Sequence, residues 1–178
     1  MQFFQIGEIF MKKFILLALF ASILATSAFA ASEKNKLGFY LGLPSGISYT
    51  RDLGKSADFD VLAGFDFLRT KDFHVYGYGL HARFAPLFKL WSGNLGSIMT
   101  GTFSLGPGFG FQLGGDSGTL VVGYSISLPI RFELDFKIPF SLFFETAPGF
   151  SHTFVIRSGS GHVPAFYLGG GLGLRFRF

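Results

Sequence analysis

The chain has 178 residues, enough for one domain, with 49% hydrophobic residues, 25 Gly, 26 Phe, no Cys and a net charge of +4. That charge is too weak and too dispersed for a nucleic-acid partner, and a chain without Cys has no disulfide framework. Past the N-terminus no run of about 18 apolar residues occurs, so the hydrophobic content does not read as a helical membrane bundle.

The one continuous apolar run, Phe14 to Phe29, follows Lys12-Lys13 and ends in Ala28-Phe29-Ala30. A positive start, a short apolar core and a small-x-small end predict a Sec signal peptide over residues 11–30, cleaved after Ala30 with Ala28 as the other small residue. Met11 is then the start, and residues 1–10 are an upstream extension. The mature chain, 31–178, loses Glu8, Lys12 and Lys13. The 15 Lys+Arg become 13 and the 11 Asp+Glu become 10, a net charge of +3.

Alternation governs the rest. Leu37, Phe39, Leu41 and Leu43 oppose Gly38, Tyr40 and Gly42. Pro44-Ser45-Gly46 interrupts, and Ile47 and Tyr49 resume on the same parity, which permits either a hairpin or one bent strand. Phe59 to Phe67 and Tyr76 to Phe84 alternate in the same way, joined by a turn at Arg69 to Asp72. A connection is predicted over Pro86 to Gly96, carrying Trp91, the single tryptophan. Met99 to Leu113 and Leu120 to Leu134 are long alternating strands on either side of a turn at Gly114 to Gly118. Phe140 to Glu145 follows a reversal at Lys137 to Pro139, Ala147-Pro148-Gly149 is a second interruption, and Arg157 to Pro164 is predicted as loop.

The last segment is the most regular. Phe166, Leu168, Gly170, Leu172, Leu174, Phe176 and Phe178 share one parity, and Tyr167, Gly169, Gly171, Gly173, Arg175 and Arg177 the other. Alternate side chains of a strand point to opposite faces. An apolar strand edge of this kind invites aggregation in water. It is accommodated where the apolar face meets lipid and both edges are paired in a closed barrel. The opposite face is Gly, Ser, Thr and charge, suited to a crowded interior. Seven strands are clear, and either the Pro44-Ser45-Gly46 or the Ala147-Pro148-Gly149 interruption hides an eighth. The predicted fold is all-β: a single antiparallel up-and-down transmembrane β-barrel of eight strands.

Gly173, Phe176 and Phe178 resemble the C-terminal insertion signal of bacterial outer-membrane proteins, with Gly171 where a polar residue is usual. With the signal peptide and the strand pattern, residues 37–178 resemble a small eight-stranded barrel of the OmpA/OmpX type. That resemblance implies an outer-membrane location, outer-membrane lipid and the barrel assembly machinery as partners, and no cofactor. Some barrels that this fold resembles are lipid-modifying enzymes using His with Ser or Asp.

The interior parity carries Asp58, Asp60, Asp66, His81, Arg83, Arg131, Glu133, Asp135, Glu145, Arg175 and Arg177. Buried charges must be paired or hydrated, so these residues predict a plug of salt bridges. A narrow polar conduit is the alternative, disfavoured because eight strands enclose little more than their own side chains. Catalysis finds little support. Ser151 and His152 are neighbours on opposite faces, and His162 with Ser158 and Ser160 sits in a loop that positions groups poorly. His74 and His81 differ in parity, and no pair has zinc spacing. The expected function is an integral outer-membrane, porin-like barrel with a structural or surface-interaction role, its surface ligand unidentified, and no enzyme activity. A soluble lipocalin-like lipid-binding barrel is the structural competitor.

Overall fold

The computed structural model describes residues 34–69, 75–116, 119–156 and 161–178. The predicted extension 1–10, the signal peptide 11–30 with Ala28 and Ala30, and His74, Ser158 and Ser160 lie outside the described residues, as do the side chains of Asp66 and His162.

Residues Lys34–Arg177 form one compact unit, an antiparallel sheet of ten strands. They are β1 (Asn35–Leu43), β2 (Ser45–Asp52), β3 (Ala57–Arg69), β4 (Val75–Asn94), β5 (Met99–Leu105), β6 (Gly108–Asp116), β7 (Thr119–Ser127), β8 (Ile130–Phe136), β9 (Phe140–Ile156) and β10 (Gly161–Arg177). Strand β4 pairs with both β5 and β6, and β9 with both β8 and β7. The pairings preserve register across the two gaps. Phe88 faces Leu105 and Phe84 faces Phe109; Ser104 faces Arg131 and Gly108 faces Ser127. Equal steps on both partners make β5–β6 and β7–β8 two long strands, each interrupted once. The interruptions fall at Gly106-Pro107 and Leu128-Pro129, where proline withholds a ladder N–H. Gly106 N–H and Leu128 N–H instead donate to the carbonyls of Pro129 and Pro148.

Eight strand positions therefore remain, and pairing of β10 with both β9 and β1 closes them into a ring, an arrangement compatible with a barrel. Pairings can be followed once around it, from Gly173 through Tyr40, Gly46, Gly64, His81, Gln112, Gly123 and Thr153 to Val163. The circuit returns to β10 ten residues from where it began. Such a stagger is what closure of a tilted sheet requires.

The strand boundaries decide between the readings left open at Pro44 and differ elsewhere from expectation. Pro44 makes a hairpin, since Tyr40 pairs with Gly46 and Phe39 with Ile47. The predicted connection Pro86–Gly96 is instead the second half of β4. Ala147-Pro148-Gly149 does not break β9, and β10 already begins at Gly161 within the predicted loop. A bulge at Leu90 shifts the register between Lys89 and Trp91. One extra residue reverses the parity, so Trp91 leaves the inner face that Leu87 occupies and lies outside, against Gly93 and Gly101.

Burial follows the alternation with its polarity inverted. Phe39, Leu41, Phe65, Leu80, Phe111, Ile126, Phe144, Leu172 and Leu174 are exposed on one face. Asp60, Arg83, Arg131, Glu145 and Arg175 are buried on the other.

Candidate functional site

The inner face brings charges from five strand positions to one centre. Asp60 on β3 is its hub. Thr50 Oγ1 donates to Asp60 Oδ1 at 2.6 Å, Arg131 Nη1 and Arg175 Nη2 donate to the same oxygen at 2.9 Å each, and Arg83 Nη2 reaches Oδ2 at 3.4 Å. Glu145 is directly opposite Arg131 across the β8–β9 ladder. It accepts from Arg131 Nε at 3.0 Å and Nη2 at 2.5 Å, and forms an ion pair with Arg83 at 2.7 Å. Strands β3, β8 and β10 are not neighbours, so contacts among Asp60, Arg131 and Arg175 cross the interior of the ring.

A second layer adjoins the first. Glu133 pairs with Arg175 Nη1 at 3.4 Å and Lys36 Nζ at 3.0 Å, and Lys36 also holds Asp135 at 2.8 Å. Arg175 Nε and Nη2 donate to Ser48 Oγ at 3.0 and 2.7 Å. Four cations (Lys36, Arg83, Arg131, Arg175) thus meet four carboxylates (Asp60, Glu133, Asp135, Glu145), and the set is neutral. Multiple hydrogen bonds to each ion are the condition under which burial of charge is tolerated. Every ion of the set but Arg83 makes at least two, while Arg83 Nε and Glu145 Oε1 have no hydrogen-bond partner among the described residues. Asp58 belongs to a smaller pair with Lys89, at 3.0 Å, near the rim. Arg177 does not join the network; its Nη2 donates to the carbonyls of Phe136 and Ile138 at the rim turn.

The sequence pattern missed the apolar part of this interior. Phe143 stacks on Tyr40 with ring centroids 5.7 Å apart, and the guanidinium groups of Arg175 and Arg131 lie 3.7 and 4.5 Å from its centroid. Cations over an aromatic face gain electrostatically, more so away from water. The space is made by Gly173, which pairs with both Tyr40 and Phe143. A Cβ there would overlap the Phe143 ring. Gly173→Val is therefore expected to destabilise the fold by about 2–3 kcal/mol through overpacking. Urea unfolding of the refolded protein measures it, and an unchanged midpoint would show that the ring accommodates the larger side chain. Phe176 packs edge-on against Phe140, with ring centroids 5.4 Å apart.

His81 lies on the inner face two residues from Arg83, directly against Gly110 and close to Ser125. This Ser and His come together only because β6 places a glycine between β4 and β7. Neither ring nitrogen of His81 nor Ser125 Oγ has a hydrogen-bond partner among the described residues. Among the described residues no carboxylate hydrogen-bonds to the imidazole, as an activated Ser–His pair would require. His152 faces outward, stacked with Tyr124 and Phe154 at 5.6 and 4.8 Å. Among the described residues no group of His, Asp and Glu is arranged to hold a metal ion.

In comparisons with known proteins the chain matches no family model, no curated protein and no solved structure.

Proposed function

We propose that the chain is an integral β-barrel protein of a bacterial outer membrane, with a lumen closed by its own side chains and a structural or surface-interaction role. One observation carries this reading: charged residues fill the interior while large apolar residues cover the outside of the same strands. In water that arrangement is upside down; in a bilayer it is required, because only a closed ring satisfies every backbone group within hydrocarbon. An offset of ten residues over eight strands corresponds to a tilt of about 40°, within the range of membrane barrels. Trp91, turned outward near the rim by the Leu90 bulge, suits an aromatic interface girdle.

On this reading the rim bearing Asn35 and Arg177 faces the periplasm, and outer-membrane lipid is the constant partner. Gly173, Phe176 and Phe178 form the signal recognised by the assembly machinery, and surface ligands meet the opposite rim. The neutral network around Asp60 plugs the lumen, so neither a pore, an enzyme activity nor a cofactor is part of the proposal. Cell fractionation joined to gel migration with and without boiling tests it. The protein is expected in the outer-membrane fraction, with unboiled material migrating faster than boiled. Recovery in the soluble fraction, with no heat-dependent shift, would favour the lipocalin-like alternative.

A further inference from the structure

The wall of the ring is not of even height. At the upper rim, opposite the one bearing Asn35, β1 ends at Leu43, which pairs with Gly170, while β10 continues to Gly161. On the other flank β2 begins at Ser45, opposite Phe65, and β3 runs on to Arg69. Above the β1–β2 hairpin there is thus a notch two strands wide and on the order of 10 to 20 Å deep.

Alternation along β9 fixes which backbone groups of β10 border the notch. Pro148 points its carbonyl away from β10, to Leu128 N–H. Its neighbours Ala147 and Gly149 therefore point their polar groups to β10, where they face Gly169 and Tyr167. By the same alternation Leu168, Phe166 and Pro164 direct theirs into the notch, where no described strand lies alongside. Pro164 has no N–H to give, which spoils this edge for another strand, a recognised way of protecting sheet edges. Yet the outer face here is strongly apolar: Phe166 and Leu168 are 75% and 65% exposed, beside the notch and above its floor.

We infer that the headgroup of an outer-leaflet lipid, with its water, is drawn down into this notch. The inference rests on the membrane reading above. Unpaired backbone groups inside an apolar belt need hydrogen-bonding partners. An acyl chain supplies none, and Pro164 opposes a strand. A headgroup with water supplies them without ordering a second protein. The bilayer is then thinnest beside β1–β2 and of ordinary thickness beside β6 and β7, where apolar residues of the full-height wall continue the belt.

The chain has no Cys, so a single introduced thiol labels uniquely. Bimane is attached to Phe166→Cys, beside the notch, and to Leu113→Cys, at the same height on β6 once the stagger is shared around the ring. Leu168→Cys repeats the first position should Phe166→Cys not refold. In phosphatidylcholine vesicles, quenching by a nitroxide on the choline headgroup is compared with quenching by a nitroxide on the mid-acyl chain. The headgroup-to-chain ratio is expected to be about twofold or more higher at 166 than at 113, given a hydrocarbon core about 30 Å thick. Equal ratios at the two positions, with Leu113→Cys quenched from the acyl chain, would overturn the notch while leaving the membrane reading intact. Absence of acyl-chain quenching at both positions would overturn the membrane reading and this inference with it.

Discussion

Replacing Arg131 by alanine is expected to cost about 3–5 kcal/mol, the usual penalty for removing one member of a buried ion pair. Arg131 binds Asp60 at 2.9 Å and Glu145 at 2.5 Å, and all three side chains are almost wholly buried. Its loss leaves two carboxylates with fewer partners, at a place where solvent cannot compensate them. Arg83 and Arg175 still contact Asp60, so the ring can survive at reduced stability. Arg177→Ala is the matched control, because its guanidinium serves only rim carbonyls among the described residues; a cost of about 1 kcal/mol is expected there. Urea midpoints of both variants, refolded in the same lipid, give the comparison. Equal midpoints for the two variants would show that the central network does not hold the ring together.

Much of this network was legible in the sequence, and the reason is geometric. Strand parity is local, so the positions of Asp58, Asp60, His81, Arg83, Arg131, Glu133, Asp135, Glu145 and Arg175 on one face followed from period-two alternation alone. The partners did not follow. Asp60 and Arg175 meet across 115 positions, and that meeting depends on the ten-residue stagger, which no local pattern records. Lys36 escaped notice because it precedes the first alternating apolar residue, although it shares parity with Gly38 and Tyr40. The Tyr40–Phe143 stack was hidden for the opposite reason. Aromatic residues on the inner parity read as exceptions until Gly173 shows where the ring fits. Prolines misled in both directions. Pro44 does turn the chain and Pro148 does not, while Pro107 and Pro129 interrupt two strands without ending their course. The difference lies in whether the missing N–H faces a neighbour that the register can spare, and register is a property of the closed ring.

Leu172→Arg separates the membrane reading from a soluble one most sharply. Leu172 lies between Leu41 on β1 and Phe144 on β9 and points outward, 55% exposed, at mid-height on the wall. If water surrounds the ring, an exposed leucine exchanged for arginine falls among surface substitutions that change stability by about 0.5 kcal/mol or less. If hydrocarbon surrounds it, the guanidinium must be held near the bilayer midplane, at a cost of about 2–4 kcal/mol. The expected result is the larger cost, read as a lowered urea midpoint for protein refolded into phosphatidylcholine vesicles. The same substitution in detergent is expected to cost less, since a micelle deforms around a charge more readily than a bilayer. The inner face supplies the contrast. Ser141 sits one residue from Leu142 on β9, buried beneath the network and paired in register with Arg175. A charge there would upset the balance of four cations and four carboxylates in any solvent. Only an outward-facing position lets the surroundings decide the sign and size of the effect, and a near-zero cost at Leu172 in both lipid and detergent would leave the outward apolar belt without a bilayer to explain it.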